Sequence, residues 1–223
     1  MPESPDPDPA PGPSLHGVPG DGGILPELVG AGFWDRGGCC GAGFASGGAA
    51  DTMAPGPVLA CLAGECWQAG LGRLNDDELI GALRAARRLA SWVAAMELAM
   101  VSDLAARRDA QAEAEKDHRY GEHTDDELAA ALTLTRSAAV GLLGLALDLR
   151  RLPRTGAALA AGQIDRARAA VIADEVTGLD GAHAAAVEAA VIAKAPGQTT
   201  GQVRAAAHRA VLAADPAAAR ERK

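Results

Sequence analysis

Four cysteines, five histidines and two acidic clusters are the residues of this 223-residue sequence best equipped for nucleophilic, acid–base or metal chemistry. Cys39 and Cys40 are adjacent in a Gly-rich stretch, and Cys61 and Cys66 are five apart, so neither a CxxC pair nor a Cys/His quartet at zinc-finger spacing is present. Reduced thiols and no metal site are expected. The clusters Asp76-Asp77-Glu78 and Asp125-Asp126-Glu127 each follow an Asn or Thr. Such residues complement the positive end of a helix, and capping accounts for them without a divalent cation. The sequence contains no GxSxG, no GxxxxGK[ST] and no HExxH, and His183 and His208 lie on Ala-rich helical segments. No catalytic residue and no cofactor is expected.

Arginine is the remaining chemistry. Arg150, Arg151 and Arg154, followed after a short turn by Arg166 and Arg168, form the densest basic group, with Arg136 upstream. A guanidinium donates two hydrogen bonds in one plane and suits phosphate oxygens, so these six are the candidates for weak, non-specific contact with DNA. Arg150 and Arg151 at a helix C-terminus also complement the helix dipole, a purely structural role. Residues 1–135 carry 9 basic and 21 acidic residues, and residues 136–223 carry 12 basic and 8 acidic, formal charges of −12 and +4. The basic excess of the second part is small, and solvated helix surfaces explain it as well as a polyanion does.

The elements that carry these residues are helices. Ala, Leu and Arg dominate and aromatics make up 3%, which favours helix and leaves little to build a sheet. An all-α, irregular helical bundle built on one long helix is expected. Ten of the thirteen prolines and about half the glycines lie at or before Pro57, and residues 1–56 are therefore expected to form a disordered Pro/Gly-rich tail, with Phe33-Trp34 as a short sticky patch. The helical domain is expected over 57–223. Its first helix runs from Val58 to about Gly70; Asn75 and Glu78 form a capping box that opens the long helix, which continues to about Asp109.

Along that long helix Leu79, Leu83, Ala86, Ala90, Val93, Glu97, Met100 and Leu104 recur in alternating steps of four and three, and this stripe is expected to face inward. Glu97 interrupts it. A carboxylate there is expected to be at least partly buried and paired with an arginine from another helix. Residues 110–123 break the apolar pattern and are expected to be a frayed end or connector. Thr124 and Glu127 offer a second capping box, Thr135 a further cap for Arg136–Leu149, and Gly162, Asp165, Asp180, Pro196-Gly197 and Thr200 punctuate the shorter helices that follow. The span from Glu127 to Leu143 has the spacing of a helix-turn-helix, but its second helix offers Arg136, Ser137 and then only small or apolar side chains, so a buried helical hairpin is the better expectation.

The N-terminus is proline-rich and acidic rather than basic and then apolar, and the most apolar stretch, Leu89 to Leu104, is interrupted by Ser91, Glu97, Ser102 and Asp103. Neither a secretory signal nor a membrane span is expected, and a cytoplasmic location follows. The chain ends on Arg220, Glu221, Arg222 and Lys223 without a stop pattern, which is expected of a truncated C-terminus.

Three separate motifs resemble domain-of-unknown-function family 222. They are the run from Leu152 to Glu175, the stretch Leu79 to Arg108 with Arg-Arg-Leu-Ala-Ser-Trp at 87–92, and Ala195 to Arg220 with Pro-Gly-Gln-Thr-Thr-Gly-Gln-Val-Arg. The likeness covers about residues 57–223. It implies a high-GC actinobacterial source, which fits 18 Arg against 3 Lys. It also implies a helical region that precedes an HNH endonuclease domain. An HNH site needs a general-base His, an Asn and a metal-binding His in a ββα hairpin, and no position here matches one. The resemblance therefore implies a non-catalytic module that helps a nuclease domain engage DNA. The alternatives are a helical protein-interaction module, self-associating through the long helix, or a truncated remnant without activity.

Overall fold

The computed structural model describes residues 41–116, 121 and 123–214, all within one unit spanning Gly38–Lys223. Eight α-helices and two 3-10 turns, with no strand, make up the regular structure among the described residues: α1 (Pro57–Ala69), α2 (Asp76–Glu115), α3 (Thr124–Leu132), α4 (Arg136–Arg151), α5 (Pro153–Ala160), α6 (Arg166–Val176), α7 (Gly181–Ile192) and α8 (Thr200–Ala214). The fold is all-α and is built on the 40-residue helix α2, as expected.

Local chemistry explains most boundaries. Asn75 accepts from the Glu78 backbone N–H, and the Glu78 carboxylate accepts from the Asn75 N–H, so the capping box at the head of α2 is closed. Thr135, Asp165 and Asp180 cap α4, α6 and α7 through their side-chain oxygens. Gly162 follows α5 at φ +69° and passes against the long helix, where a Cβ would lie 3.0 Å from the Arg88 Cα. Only glycine fits that crossing.

Four expectations are corrected. The long helix does not end near Asp109 but continues to Glu115, because Arg108, Gln111 and Glu115 hydrogen-bond to one another along its surface and offset the loss of apolar residues. Thr124 is the first residue of α3 and not its cap; its hydroxyl donates to the Gly121 carbonyl, and no side chain caps this helix. Residues 41–56 are not a tail. Phe44 and Ala50 are buried, the Ser46 N–H donates to Asp77, and Asp51 and the Ala50 carbonyl receive Arg84 and Arg88 from α2. A single aromatic anchor and three polar ties hold a Gly-rich loop that composition alone reads as disordered. Residues 1–40, including Phe33-Trp34, and 215–223 lie outside the described residues.

The fourth correction concerns α2 itself. Its buried positions are Glu78, Gly81, Ala85, Ser91, Leu98, Val101, Ala105 and Ala112. The stripe expected to face inward instead faces outward at its centre: Leu83, Val93 and Met100 are 56%, 52% and 69% exposed. An Ala-rich helix carries apolar residues on more than one face, and periodicity cannot say which face meets the core. Because of that second face α2 also reaches a mean hydropathy of 1.4 over 18 residues, so by length and composition it is long and apolar enough to cross a membrane, contrary to expectation.

The core lies between the second half of α2 and the remaining helices. Leu98 and Val101 meet Leu142 and Leu145 of α4 and Leu159 of α5, and Ile172, Val187 and Val203 join α6, α7 and α8. The C-terminal part of α2 is tied to α3 by Arg108, whose Nε and Nη2 donate to the two oxygens of Glu127 at 2.8 and 2.7 Å. The guanidinium holds the Glu127 carboxyl below its ordinary range.

Candidate interaction surface

Among the described residues no three His, Cys, Asp or Glu side chains converge. Cys61 and Cys66 carry thiols on α1, the latter buried. His183 lies 2.7 Å from Asp180 at the head of α7, and His208 lies 3.5 Å from Glu175 across α6 and α8. The Asp180 carboxyl is pulled below its usual range, first by the His183 backbone N–H and then by its ring. Each imidazole thus stands beside a carboxylate, Asp180 at the same helix end and Glu175 on the neighbouring helix.

The six arginines do not form one open basic face. Arg136 lies 3.5 and 3.6 Å from Asp125 and Asp126 at the head of α3. Arg151 donates to the Leu179 carbonyl, and Arg168 to the Gln198 carbonyl and Asp165, joining the helices of the C-terminal half. Arg166 reaches Glu97 at 3.1 Å. Arg150 and Arg154 are exposed and make no ion pair or hydrogen bond among the described residues. Arg150 borders an open groove of about 610 Å³ floored by Ala95, Leu98, Ala99 and Ala146. Helices α3 and α4 meet at 115° across Thr133–Thr135, a helix-turn-helix angle, but α4 buries Ala139, Leu142, Leu145 and Ala146 in the core. Its exposed positions include Val140, Gly141, Gly144 and Leu147, none able to read a base edge.

Glu97 finds its arginine on another helix, as expected, but the pair is only half-buried, at 42% and 44% side-chain exposure. A pair this wet contributes about 0–1 kcal/mol. The most deeply buried carboxylate among the described residues is Glu188 of α7, which the sequence analysis does not single out. It is 2% exposed, and its Oε1 accepts from the Thr155 backbone N–H and hydroxyl at 2.7 and 2.9 Å. The signal was present in the sequence: Ala184, Val187, Glu188 and Val191 occupy one inward helical face.

What remains open to a partner is the outer face of α2. Leu83, Ala86, Ala90, Val93 and Met100 form an exposed apolar line, with Ile80 exposed beside it. Arg84 and Arg87 stand beside Ile80 and Leu83, bound to Asp51 and Asp165 at 2.9 and 3.0 Å. Between this edge and the α5–α6 turn runs a second groove of about 530 Å³, bordered by Ile80, Leu83, Arg87, Arg168 and Pro196. Scattered exposed apolar side chains are ordinary, whereas these follow one another along one side of a single helix.

No curated protein and no solved structure matches the chain. One family model does, described as Domain of unknown function (DUF222), and it covers residues 81–223, from near the head of α2 through all the helices that follow it. The chain belongs to that family.

Proposed function

We propose that this chain is a non-catalytic helical interaction module, cytoplasmic, that docks protein through the outer face of α2. The supporting observation is the exposed apolar line through Leu83, Val93 and Met100 on a helix whose opposite face is already packed. A membrane is the weaker explanation of this apolarity, since Arg84, Arg87 and Arg88 head the line, Glu97 interrupts it, and all four are engaged within the fold. In the nuclease context that the resemblance implies, such a face would join the module to its nuclease or to another copy.

Photo-reactive benzoylphenylalanine placed at Leu83 or at Met100 in producing cells is expected to give a discrete protein adduct identified by mass spectrometry. The same residue at Ala190, exposed on α7, is expected to give none. The reading falls if both α2 positions remain unreacted. Leu83→Gln with Val93→Gln should abolish the adduct from position 100 while leaving folding stability within about 0.5 kcal/mol, because neither side chain is packed.

The second reading, DNA engagement, is favoured by one observation: Arg150 and Arg154 are exposed without an internal partner, Arg150 at the edge of an open groove. Binding would be weak and non-specific. Two arginines neutralise about two phosphates, so log affinity should fall against log salt with a slope of about −2. Fluorescence anisotropy on a short duplex should show that slope reduced in an Arg150→Ala, Arg154→Ala variant. Absence of binding at low salt removes this reading.

A further inference from the structure

The outward line on α2 is not an arbitrary apolar patch. Leu83, Ala90, Glu97 and Leu104 recur every seven residues, and so do Leu79, Ala86, Val93 and Met100, three residues later in each repeat. These are the a and d positions of a coiled-coil seam, and a strict seven-residue period makes a helix wrap a second helix in a left-handed supercoil. Within the fold the seam is open at Leu83, Ala86, Ala90, Val93 and Met100, while Leu104 at its end packs against the core and Arg166 of α6 reaches Glu97; α4 and α5 meet α2 through Leu98 and Val101, on a different side.

We propose that the seam is filled by the same seam of a second copy, running antiparallel. The inference rests on the docking role of α2 proposed above and names its occupant. In antiparallel pairing an a position faces a d position, and the sequence is then self-complementary about a two-fold axis between Ser91 and Trp92. Leu79 lies opposite Leu104, Leu83 opposite Met100, Ala90 opposite Val93, and Ala86 opposite Glu97. Large side chains meet large ones at the two ends, while alanines at the centre let the helices approach closely.

Charge selects the same direction. Glu97 of one copy lands beside Ala86 and Arg87 of the other, and Arg87 keeps 75% of its side chain exposed despite its contact with Asp165. Asp76, in the first turn of α2, faces Arg107 of the second copy, and both are exposed. Parallel pairing would put Glu97 against Glu97 inside the seam and the acidic first turns against each other. A single polar a position commonly fixes register and direction in this way, at some cost in stability. From Leu79 to Leu104 the seam is about 39 Å long. With alanine at its centre it stands at the lower end of stable interfaces, so a dissociation constant on the order of 10 μM is expected.

The test is sedimentation equilibrium of the full chain from about 1 to 300 μM, a range set around that constant. Wild type is expected to pass from 22.5 kDa to twice that mass. Leu83→Asp should weaken dimerisation roughly 30-fold or more with an unchanged circular dichroism spectrum, because Leu83 is exposed in the single chain. Direction is read by oxidative cross-linking over the background of the native thiols. Leu83→Cys with Met100→Cys should form a disulfide-linked dimer, whereas Leu83→Cys alone should not, its two copies lying about 25 Å apart. A chain that stays monomeric throughout overturns the second-copy assignment, while a photo-adduct to a different protein would still uphold docking on α2. Efficient linking of Leu83→Cys alone overturns the antiparallel geometry.

Discussion

Glu188→Ala is expected to lower folding stability by about 3 kcal/mol, more than any other single carboxylate removal in the chain. The reason lies in how α5 begins. Pro153 opens that helix, and Leu152 at its cap has no side-chain oxygen to offer, so the free N–H groups of the first turn need a partner from elsewhere. Glu188, on α7, supplies it. Its Oε1 receives both the backbone N–H and the hydroxyl of Thr155, itself fully buried, and its negative charge stands at the positive end of the helix. Alanine would leave two buried donors without an acceptor and a small void at the buried Glu188 position. Glu188→Gln keeps an acceptor and should cost about 1 kcal/mol, and Thr155→Val should cost less than Glu188→Ala because the backbone N–H stays bonded. Urea denaturation of the three variants gives the ranking. A loss below about 1 kcal/mol for Glu188→Ala would mean that α5 does not depend on this carboxylate for its N-terminus.

How much of this was legible in the sequence depended on how local the physics was. Asn75, Thr135, Asp165 and Asp180 are caps whose partners lie two or three residues away, and each was recognisable from residue type alone. Helix ends governed by solvated side-chain pairs were harder. The polar run after Arg108 looks like the end of an amphipathic helix, yet Arg108, Gln111 and Glu115 sustain it for another turn and a half. Thr124 carries the right spacing for a capping box, but the chain enters α3 one residue earlier, and the hydroxyl turns back to Gly121.

Packing between elements was the least legible. The stripe through Leu83, Val93 and Met100 is legible in the sequence, but not that it faces away from the core, because a period specifies a face and not what covers it. The actual core face of α2 contains Gly81, Ala85 and Ser91, small residues chosen by the closeness of neighbouring backbone rather than by hydrophobicity. Glu97 and Glu188 show the same limit from the polar side. Both sit on apolar helical faces; one face is open and the carboxylate meets a half-exposed arginine, the other is closed and the carboxylate becomes a cap for a helix 33 positions away. Of the arginine cluster, four members turn out to serve the fold through aspartates, a glutamate and carbonyls that no spacing rule connects to them.

Gly81→Ala is expected to destabilise the chain by about 2–3 kcal/mol, reversing the usual sign of a glycine-to-alanine change inside a helix, which normally gains about 1 kcal/mol. A Cβ on Gly81 would overlap the Phe44 carbonyl oxygen and lie 2.7 Å from its carbon, both backbone atoms that no side-chain rotation can move aside. The loop of residues 41–56 would have to lift off α2. Lifting it exposes Phe44 and Ala50, and removes the Ser46–Asp77, Arg84–Asp51 and Arg88–Ala50 ties together, since all of them cross the same contact. Phe44→Ala should reproduce the effect by removing the anchor while leaving α2 untouched. Gly144→Ala on α4, where a Cβ would meet nothing within 4 Å, should instead raise stability by about 0.5–1 kcal/mol. Thermal denaturation separates the two signs, and limited proteolysis locates the cause: Gly81→Ala and Phe44→Ala should become sensitive within residues 45–56, while wild type and Gly144→Ala resist. Gly81→Ala behaving like Gly144→Ala in both assays would show that the loop does not rest on the long helix.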